Sequence, residues 1–258
     1  PGLELWHELR GNAVHEVTTE EKSTFASISK SKTFIKPSGD SDFIHARLIE
    51  IDTKAAFSYP EVLAVITWKD VPGAKMYGQI NHDMPILAFD KIRGNGDVVA
   101  LVVAQTREAA LEAAELVTVI AETLPPVLDP EAAMTAESEL IHDESGSNIA
   151  AHHKIRRGRA DEMLTDCDIT LEGSFKTGRF EHAYMEPEGA VSLRRPDGVF
   201  EVYGSYQHPV STRRFTCAYL GLPFSAVEVF SNPVGGSFGG KDDTAAAVCA
   251  RTDLAAKI

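Results

Sequence analysis

Seven consecutive apolar residues at 98–104 constrain the fold of this 258-residue chain more than any other segment. A run of that length without polar alternation is typical of a strand buried on both faces. Thr106 follows as an N-cap for a helix predicted over 107–116, where Ala and Leu recur at helical spacing. Residues 117–120 return to a strand pattern. This β–α–β order predicts a mixed α/β fold, with a first domain over residues 41–130.

The remaining patterns divide the rest of the chain into three parts. Residues 1–40 are polar and predict an irregular or extended lead-in, and residues 131–159 lack an apolar period and predict a linker. Residues 160–258 are predicted to be the first part of a second, truncated domain. The further predicted strands are 45–51, 62–67, 168–175, 190–194, 199–203 and 226–231, and the further predicted helices are 53–57, 211–220 and 242–258.

Composition excludes several classes of protein. A net charge of −13 at pH 7 argues against nucleic acid and anionic membranes as partners. No apolar run approaches the roughly 20 residues of a membrane span, and no signal peptide is visible. Cys167, Cys217 and Cys249 lie far apart without a C-x-x-C pair, which excludes an iron–sulfur cluster built from this chain alone. We predict a cytoplasmic protein with buried, unreactive thiols.

A glycine-rich segment, residues 235–241 (GGSFGGK), is called the glycine turn below and lies between a predicted strand and a predicted helix. Its spacing is the G-x-x-x-x-G-K of a phosphate-binding loop, in which the next residue must be Ser or Thr to ligate magnesium. Asp242 occupies that position, where its carboxylate would repel phosphates, and only 17 residues follow Lys241. The sequence therefore disfavours a nucleotide hydrolase.

Phe238 is the unusual residue of the glycine turn. An aromatic ring among glycines is either a wedge into the core or a ring held against a planar ligand. The backbone N–H groups of the glycines can bond oxo or phosphate oxygens. The residues alone leave the ligand open.

Two other polar segments lie at predicted strand ends. In residues 181–187 (EHAYMEP), His182 and Glu186 are candidates for metal ligands or an acid–base pair, but we favour a buried turn in which they bond backbone groups. Gln207 follows the strand at 199–203 and offers both a donor and an acceptor in a loop.

Taken together, these motifs resemble the molybdenum-binding subunit of the xanthine dehydrogenase/aldehyde oxidase family. They are residues 85–104 (PILAFDKIRGNGDVVALVVA), 108–114 (EAALEAA), 124–127 (LPPV), 181–187, 207–209 (QHP) and 236–241 (GSFGGK), in the family's order. The resemblance covers about residues 43–258. It implies an α+β fold with a hammerhead-like first domain, followed by the start of a larger molybdopterin-binding domain.

The resemblance also implies a cofactor and partners. Members of the family insert a water-derived oxygen into a C–H bond of a heteroaromatic ring or an aldehyde. The expected cofactor is molybdopterin with molybdenum, alone or in its cytosine dinucleotide form. The [2Fe-2S] clusters and FAD are expected on partner domains or subunits, in an oligomeric assembly that includes the remainder of the molybdenum subunit.

Site residues are carried over by position. Gln207 is similar to the family glutamine that hydrogen-bonds an oxygen ligand of molybdenum, and Phe238 to the residue beside the metal. The resemblance implies that Gly236, Ser237 and Gly239 line the cofactor through their backbone, although the family commonly has glycine where Ser237 stands.

Asp242 stands where the purine oxidisers of the family carry a glutamate that contacts the substrate ring. We therefore expect a polar heteroaromatic substrate, such as a purine, rather than an aldehyde. The catalytic glutamate of the family is expected beyond Ile258, so no catalytic residue is assigned here and the 258-residue chain alone is expected to be inactive. Two alternatives stay open: a relative acting on an aldehyde or another substrate, and a cofactor-free interaction or assembly module.

Overall fold

The computed structural model of the chain describes residues 14–18, 43–94, 96–178, 180–242 and 244–257. These residues form two compact units, one with the described residues up to Pro126 and from His182 onward, the other Val127–Glu181. The lead-in predicted over residues 1–40 lies outside the described residues except for strand β1 (Val14–Thr18). The domain boundaries near residues 130 and 160 remain a prediction.

Strand β7 (Ala100–Ala104) confirms the strand predicted from the apolar run and is buried along its whole length. It pairs antiparallel with β3 (Val62–Thr67). Its side chains alternate between two hydrophobic clusters, since Leu101 and Val103 pack in one and Val102 packs in the other. Both faces of the strand therefore exclude polar residues, which explains why the run does not alternate.

The first half of the chain folds into short antiparallel sheets and one longer helix. Its other elements are β2 (Ala46–Asp52), α1 (Lys54–Phe57), β4 (Met76–Tyr77), β5 (Met84–Pro85), β6 (Lys91–Ile92), α2 (Arg107–Ala114) and β8 (Thr118–Thr123). Strand β2 lies between β6 and β8 and pairs antiparallel with both. Helix α2 begins where predicted, because the Thr106 hydroxyl oxygen accepts from the Ala109 N–H at 3.3 Å. It ends two residues earlier than predicted, since strand β8 begins at Thr118.

The unit Val127–Glu181 contains helices α3 (Pro130–Ala133) and α4 (Ala160–Thr165). The strand predicted at 168–175 is wrong, since the described residues of this unit contain no strand and Phe175 is 96% exposed. An alternating pattern supplies an apolar face, but a strand also needs a neighbour for its backbone hydrogen bonds. The described part of this unit offers no such neighbour.

The cysteine prediction holds for two of the three thiols. Cys217 and Cys249 are buried, and burial raises the pKa of both thiols, which keeps them protonated and unreactive. Cys167 is exposed, so the prediction of a buried thiol is wrong there. It belongs to the unit in which the predicted strand did not form.

The second half of the chain builds a sheet covered by a helix. Its elements are β9 (Gly189–Arg194), β10 (Phe200–Gly204), α5 (Pro209–Leu220), β11 (Val227–Ser231) and α6 (Thr244–Ala256). The described strands follow the order β1-β9-β10-β11. Strands β10 and β11 are parallel because α5 crosses between them. The loops that follow both strands therefore leave the sheet at one edge, which brings Gln207 close to the glycine turn.

Helix α6 is buried along almost its whole length and carries charged residues into the core. The Arg251 Nε donates to the Ile86 carbonyl at 3.0 Å, and the Ser192 hydroxyl donates to Asp253 Oδ1. Burial raises the pKa of the Asp253 carboxyl to about 8, against the opposing effect of the Ser192 hydrogen bond. None of the described helices has the length and apolar character needed to cross a membrane.

Candidate functional site

The glycine turn connects β11 to α6, and its backbone takes a positive φ at three positions. These are Gly236 at 103°, Phe238 at 51° and Gly239 at 93°. Glycine adopts such angles readily, whereas a bulky residue there costs roughly 1–3 kcal/mol. The Gly240 N–H donates to the Ser237 carbonyl at 2.8 Å and closes the turn. Two of the four glycines are thus explained by backbone conformation.

The other two glycines are explained by close approach to residues 182–186. A Cβ added at Gly235 would lie 2.7 Å from the Cβ of Glu186. One added at Gly240 would lie 2.5 Å from Cε1 of Tyr184 and 3.1 Å from Cγ of His182. Side chains at these positions would push the turn away from residues 182–186. The two glycines therefore allow the turn to pack directly against that segment.

Phe238 points into solvent, with 78% of its surface exposed. Of the two interpretations left open by the sequence, the wedge into the core is therefore excluded. An aromatic side chain held exposed at a strained φ is typical of a ligand-binding position rather than of a packed core.

Gln207 is attached to the glycine turn through both its backbone and its side chain. Its N–H donates to the Lys241 carbonyl at 3.0 Å, and its Oε1 accepts from the Ser237 hydroxyl. The Ser237 hydroxyl also accepts from the Lys241 N–H at 3.3 Å. The bond from Ser237 orients the carboxamide, and the Nε2 protons remain as the part of the group that can donate to a ligand oxygen.

Glu186 supports the glycine turn from below. Its Oε2 accepts from Lys241 Nζ at 2.6 Å, from the Ser205 hydroxyl at 2.7 Å and from the Gly235 N–H at 2.8 Å. Burial by itself would raise the pKa of the Glu186 carboxyl, but these three hydrogen bonds outweigh it and lower the pKa. Glu186 therefore acts as a charged acceptor. The interpretation of residues 181–187 as a buried turn is wrong, because most of them are exposed, and only one of the three donors to Glu186 is a backbone group.

Asp242 is part of a polar network at the end of the glycine turn. Its Oδ1 lies 3.3 Å from His208 Nε2 and accepts from Gln79 Nε2 at 3.4 Å. Gln79 Oε1 in turn accepts from an Arg214 guanidinium N–H at 3.4 Å. The carboxylate is partly exposed, so it can reach a ligand while its other contacts hold it in place.

The same geometry argues against a phosphate-binding loop. A loop of that kind needs its lysine free to contact phosphates. Lys241 is instead fully buried and paired with Glu186.

Within the described ranges, no three His, Cys, Asp or Glu side chains converge to hold a metal ion.

Sequence reasoning missed the contacts of Lys241 and Gln79. Lys241 lies 55 residues from Glu186, and Gln79 lies 163 residues from Asp242. No local pattern records such separations. The charge of Lys241 and the glycine spacing before it are those of a phosphate-binding loop. In the structure, however, Lys241 is buried and its ammonium pairs with the Glu186 carboxylate.

The residues present fit a cofactor that carries oxygen ligands and a planar ring. Gly236 and Gly239 carry no side chain, so a ligand can approach the backbone N–H groups of this part of the turn closely. Gln207 supplies amide protons for an oxygen, and the exposed ring of Phe238 supplies an apolar surface. The fold and this turn together define the class of a cofactor-binding domain.

Two family descriptions match most of the chain. "Aldehyde oxidase and xanthine dehydrogenase, a/b hammerhead domain" matches residues 34–125, and "Molybdopterin cofactor-binding domain" matches residues 141–258. The chain belongs to the xanthine dehydrogenase/aldehyde oxidase family and corresponds to part of its molybdopterin-binding subunit. The predicted hammerhead-like and molybdopterin-binding architecture is thereby confirmed.

Relatives and solved structures agree with this assignment. The chain is 34% identical over 203 residues to a probable xanthine dehydrogenase component of Bacillus subtilis, covering 79% of this chain and 27% of that one. It is 34% identical over 199 residues to the nicotinate dehydrogenase large molybdopterin subunit of Eubacterium barkeri, covering 77% and 46%. The chain thus spans less than half the length of each.

Two solved structures show the same fold. The aldehyde oxidoreductase of Desulfovibrio gigas superposes with a TM-score of 0.75 at 25% identity, over 99% of this chain and 27% of that one. Quinoline 2-oxidoreductase of Pseudomonas putida 86 superposes with a TM-score of 0.71 at 28% identity, over 84% and 29%.

Proposed function

We propose that this chain is part of a molybdenum hydroxylase in which the glycine turn and Gln207 bind the molybdopterin cofactor. The observation that carries the proposal is the joining of these two segments at one sheet edge, with Phe238 exposed beside them. When bound, the cofactor supplies a metal centre that transfers a water-derived oxygen to carbon and takes up two electrons. The overall change converts C–H and water into C–OH, two protons and two electrons.

The chain's own residues would bind the cofactor and orient it. The N–H groups of Gly236, Ser237 and Gly239 are proposed to donate to cofactor oxygens, and Gln207 Nε2 to donate to an oxygen ligand of the metal. The Phe238 ring would pack against the reacting site and exclude water from it. A general base is proposed on a part of the subunit outside these 258 residues, together with [2Fe-2S] and FAD partners in an oligomeric, cytoplasmic assembly.

A nitrogen heterocycle is the proposed substrate class. Asp242 presents a partly exposed carboxylate beside the glycine turn, and a carboxylate suits the N–H groups of such a ring. Relatives named for xanthine, nicotinate and quinoline support this choice. The aldehyde oxidoreductase of similar fold makes an aldehyde the runner-up. The cytosine dinucleotide form of the cofactor is compatible with either substrate.

Molybdenum bound per intact subunit tests the proposed cofactor site. We expect about one molybdenum in the wild type, and a decrease of about 10- to 100-fold in Gly240→Ala, because the new Cβ would collide with Tyr184 beneath the turn. Elemental analysis and pterin fluorescence of the purified subunit measure the cofactor content of the wild type and of the variant. Tyr184 cannot move aside without loss, since its hydroxyl donates to Glu188 at 3.0 Å.

Gly94→Ala is the matched control. No atom of the described chain lies within 4 Å of a Cβ at Gly94, so this variant should keep the wild-type molybdenum content. A wild-type subunit that folds and carries neither molybdenum nor pterin would support the cofactor-free alternative. Equal loss in both glycine variants would remove the glycine turn from the cofactor site.

A second measurement concerns substrate choice. In the loaded enzyme, Asp242→Ala should raise the KM for an N–H heterocycle about tenfold, the effect of losing a hydrogen bond worth about 1.5 kcal/mol. The KM for an aromatic aldehyde should change little, and Asp242→Glu should keep recognition of the heterocycle. Parallel increases for both substrates in steady-state kinetics would show that Asp242 supports the loop without reading the substrate.

A further inference from the structure

One carboxylate oxygen joins three points of the site that are separate in sequence. Glu186 Oε2 accepts from Gly235 at the start of the glycine turn and from Lys241 at its end. It also accepts from Ser205, two residues before Gln207. The Glu186 N–H adds a bond to the Gly235 carbonyl at 3.2 Å. Both ends of the turn and the loop that carries Gln207 therefore share a single attachment.

Lys241 is the charged partner in this arrangement and is fully buried. Its ammonium lies 2.6 Å from Glu186 Oε2 and 4.8 Å from the centre of the Tyr184 ring. A buried ammonium without compensation costs several kcal/mol, so its place is determined by the carboxylate and the ring. Lys241 is the last residue of the glycine turn, so its ion pair with Glu186 fixes the position of that end of the turn.

A second layer of contacts fixes the support itself. The Tyr184 hydroxyl donates to Glu188 Oε1, which also accepts from the Thr244 hydroxyl at the first residue of α6. The Gly240 carbonyl lies 2.6 Å from the same Thr244 hydroxyl, whose single proton is shared between the two acceptors. The segment under the turn is thereby connected to the helix that follows it. Displacing Lys241 would release the turn at one end only, while its other attachments persist.

We propose that Glu186 and Lys241 are positioning residues of the cofactor site. Their ion pair sets the distance between the Gln207 loop and the Phe238 side of the glycine turn, without contact to the substrate. This inference rests on the proposed cofactor-binding function. It assigns a role to the lysine that the sequence pattern had associated with phosphate.

Lys241→Met in the intact subunit tests the inference, because methionine keeps the apolar stem and removes the charge. We expect the molybdenum content to decrease by about 10- to 100-fold, as for residues that orient the ligands of a metal. In the fraction that stays loaded, kcat should fall about tenfold or more while the KM for the heterocycle stays near wild type, since the pair orients the cofactor and does not bind substrate. Lys91→Met is the control, because Lys91 is also buried but lies in β6, which belongs to a different sheet from the strands that lead into the glycine turn and the Gln207 loop.

The double variant Glu186→Gln with Lys241→Met separates positioning from the burial of charge. Removing both charges should return the thermal midpoint toward the wild-type value. The molybdenum content and kcat should stay low, because the link between the two ends of the turn is still lost. If the thermal midpoint, the molybdenum content and kcat all returned to wild-type values, the ion pair would only compensate buried charge, and the inference would be overturned.

Failure of this inference differs from failure of the proposed function. A wild-type subunit without molybdenum overturns the proposed function and the positioning role together. A loaded wild type with an equally loaded and active Lys241→Met variant overturns the positioning role alone. Equal losses in Lys241→Met and Lys91→Met also overturn it, since any buried lysine would then have the same effect.

Discussion

Replacing Gly73 with alanine is expected to destabilise the protein by about 3 kcal/mol or more. The new Cβ would overlap the Ala218 carbonyl oxygen and lie 2.8 Å from the Tyr219 carbonyl oxygen and the Gly221 nitrogen. All three are backbone atoms at the C-terminal end of α5, so no side chain can turn aside. The Gly73 N–H also donates to the Tyr219 carbonyl at 2.8 Å, a bond that the collision would break.

The thermal midpoint and the amide hydrogen exchange of α5 measure this effect. Exchange should accelerate first in the last turn of α5, where the collision occurs. Gly198→Ala is the control, because Gly198 has a φ of 88° but open space around a Cβ. It should cost only the backbone strain of about 1 kcal/mol. Similar losses in the two variants would mean that the close contact between Gly73 and the end of α5 relaxes at little cost.

Asp253→Asn is expected to remove a pH dependence from the stability of the fold. Burial raises the pKa of the Asp253 carboxyl to about 8 in the folded protein, well above its ordinary value of 3.8. The folded state thus keeps a proton that the unfolded state releases above about pH 4. The carboxyl's contribution to stability is full below about pH 4 and is lost as the pH rises toward about 8. Asparagine is neutral at every pH. The free energy of unfolding of the variant should therefore exceed that of the wild type by the largest amount at the upper end of this range.

The free energy of unfolding of wild type and variant, compared between about pH 5 and about pH 8, provides the test. Hydrogen exchange of the α6 amides, corrected for the intrinsic pH dependence of exchange, reports it locally. The same substitution at the exposed Asp168 should leave the wild-type slope unchanged. A constant difference between wild type and Asp253→Asn across this range would show that Asp253 is charged in the folded protein.

The elements of both halves were predictable where a pattern is local. Residues 98–104 predicted a doubly buried strand because polar side chains are absent from both of its faces. Thr106 predicted the start of α2 because a helix N-terminus needs an acceptor for its first N–H groups. The family motifs predicted the hammerhead and molybdopterin-binding architecture, which the family matches confirm.

The failures and omissions concern partners distant in sequence. Residues 168–175 have the pattern of a strand, yet the described part of their unit supplies no neighbour to pair with. Lys241 has the spacing of a phosphate-binding lysine, yet a carboxylate 55 residues away holds it. In both cases the local pattern states what a residue is able to do, while the fold decides which partner is within reach.

The glycine turn is held by its main chain and by side chains other than those at positions 238 and 242, and this has a consequence for how the family diversifies. Its attachments include the bond from the Gln207 N–H to the Lys241 carbonyl and the bonds that Glu186 accepts from the Gly235 N–H and from Lys241. Side chains at positions 238 and 242 take no part in those bonds. If the proposed site is correct, residues 238 and 242 can be exchanged during evolution while the backbone proposed to bind the cofactor is kept, so that substrate specificity changes without a change of fold.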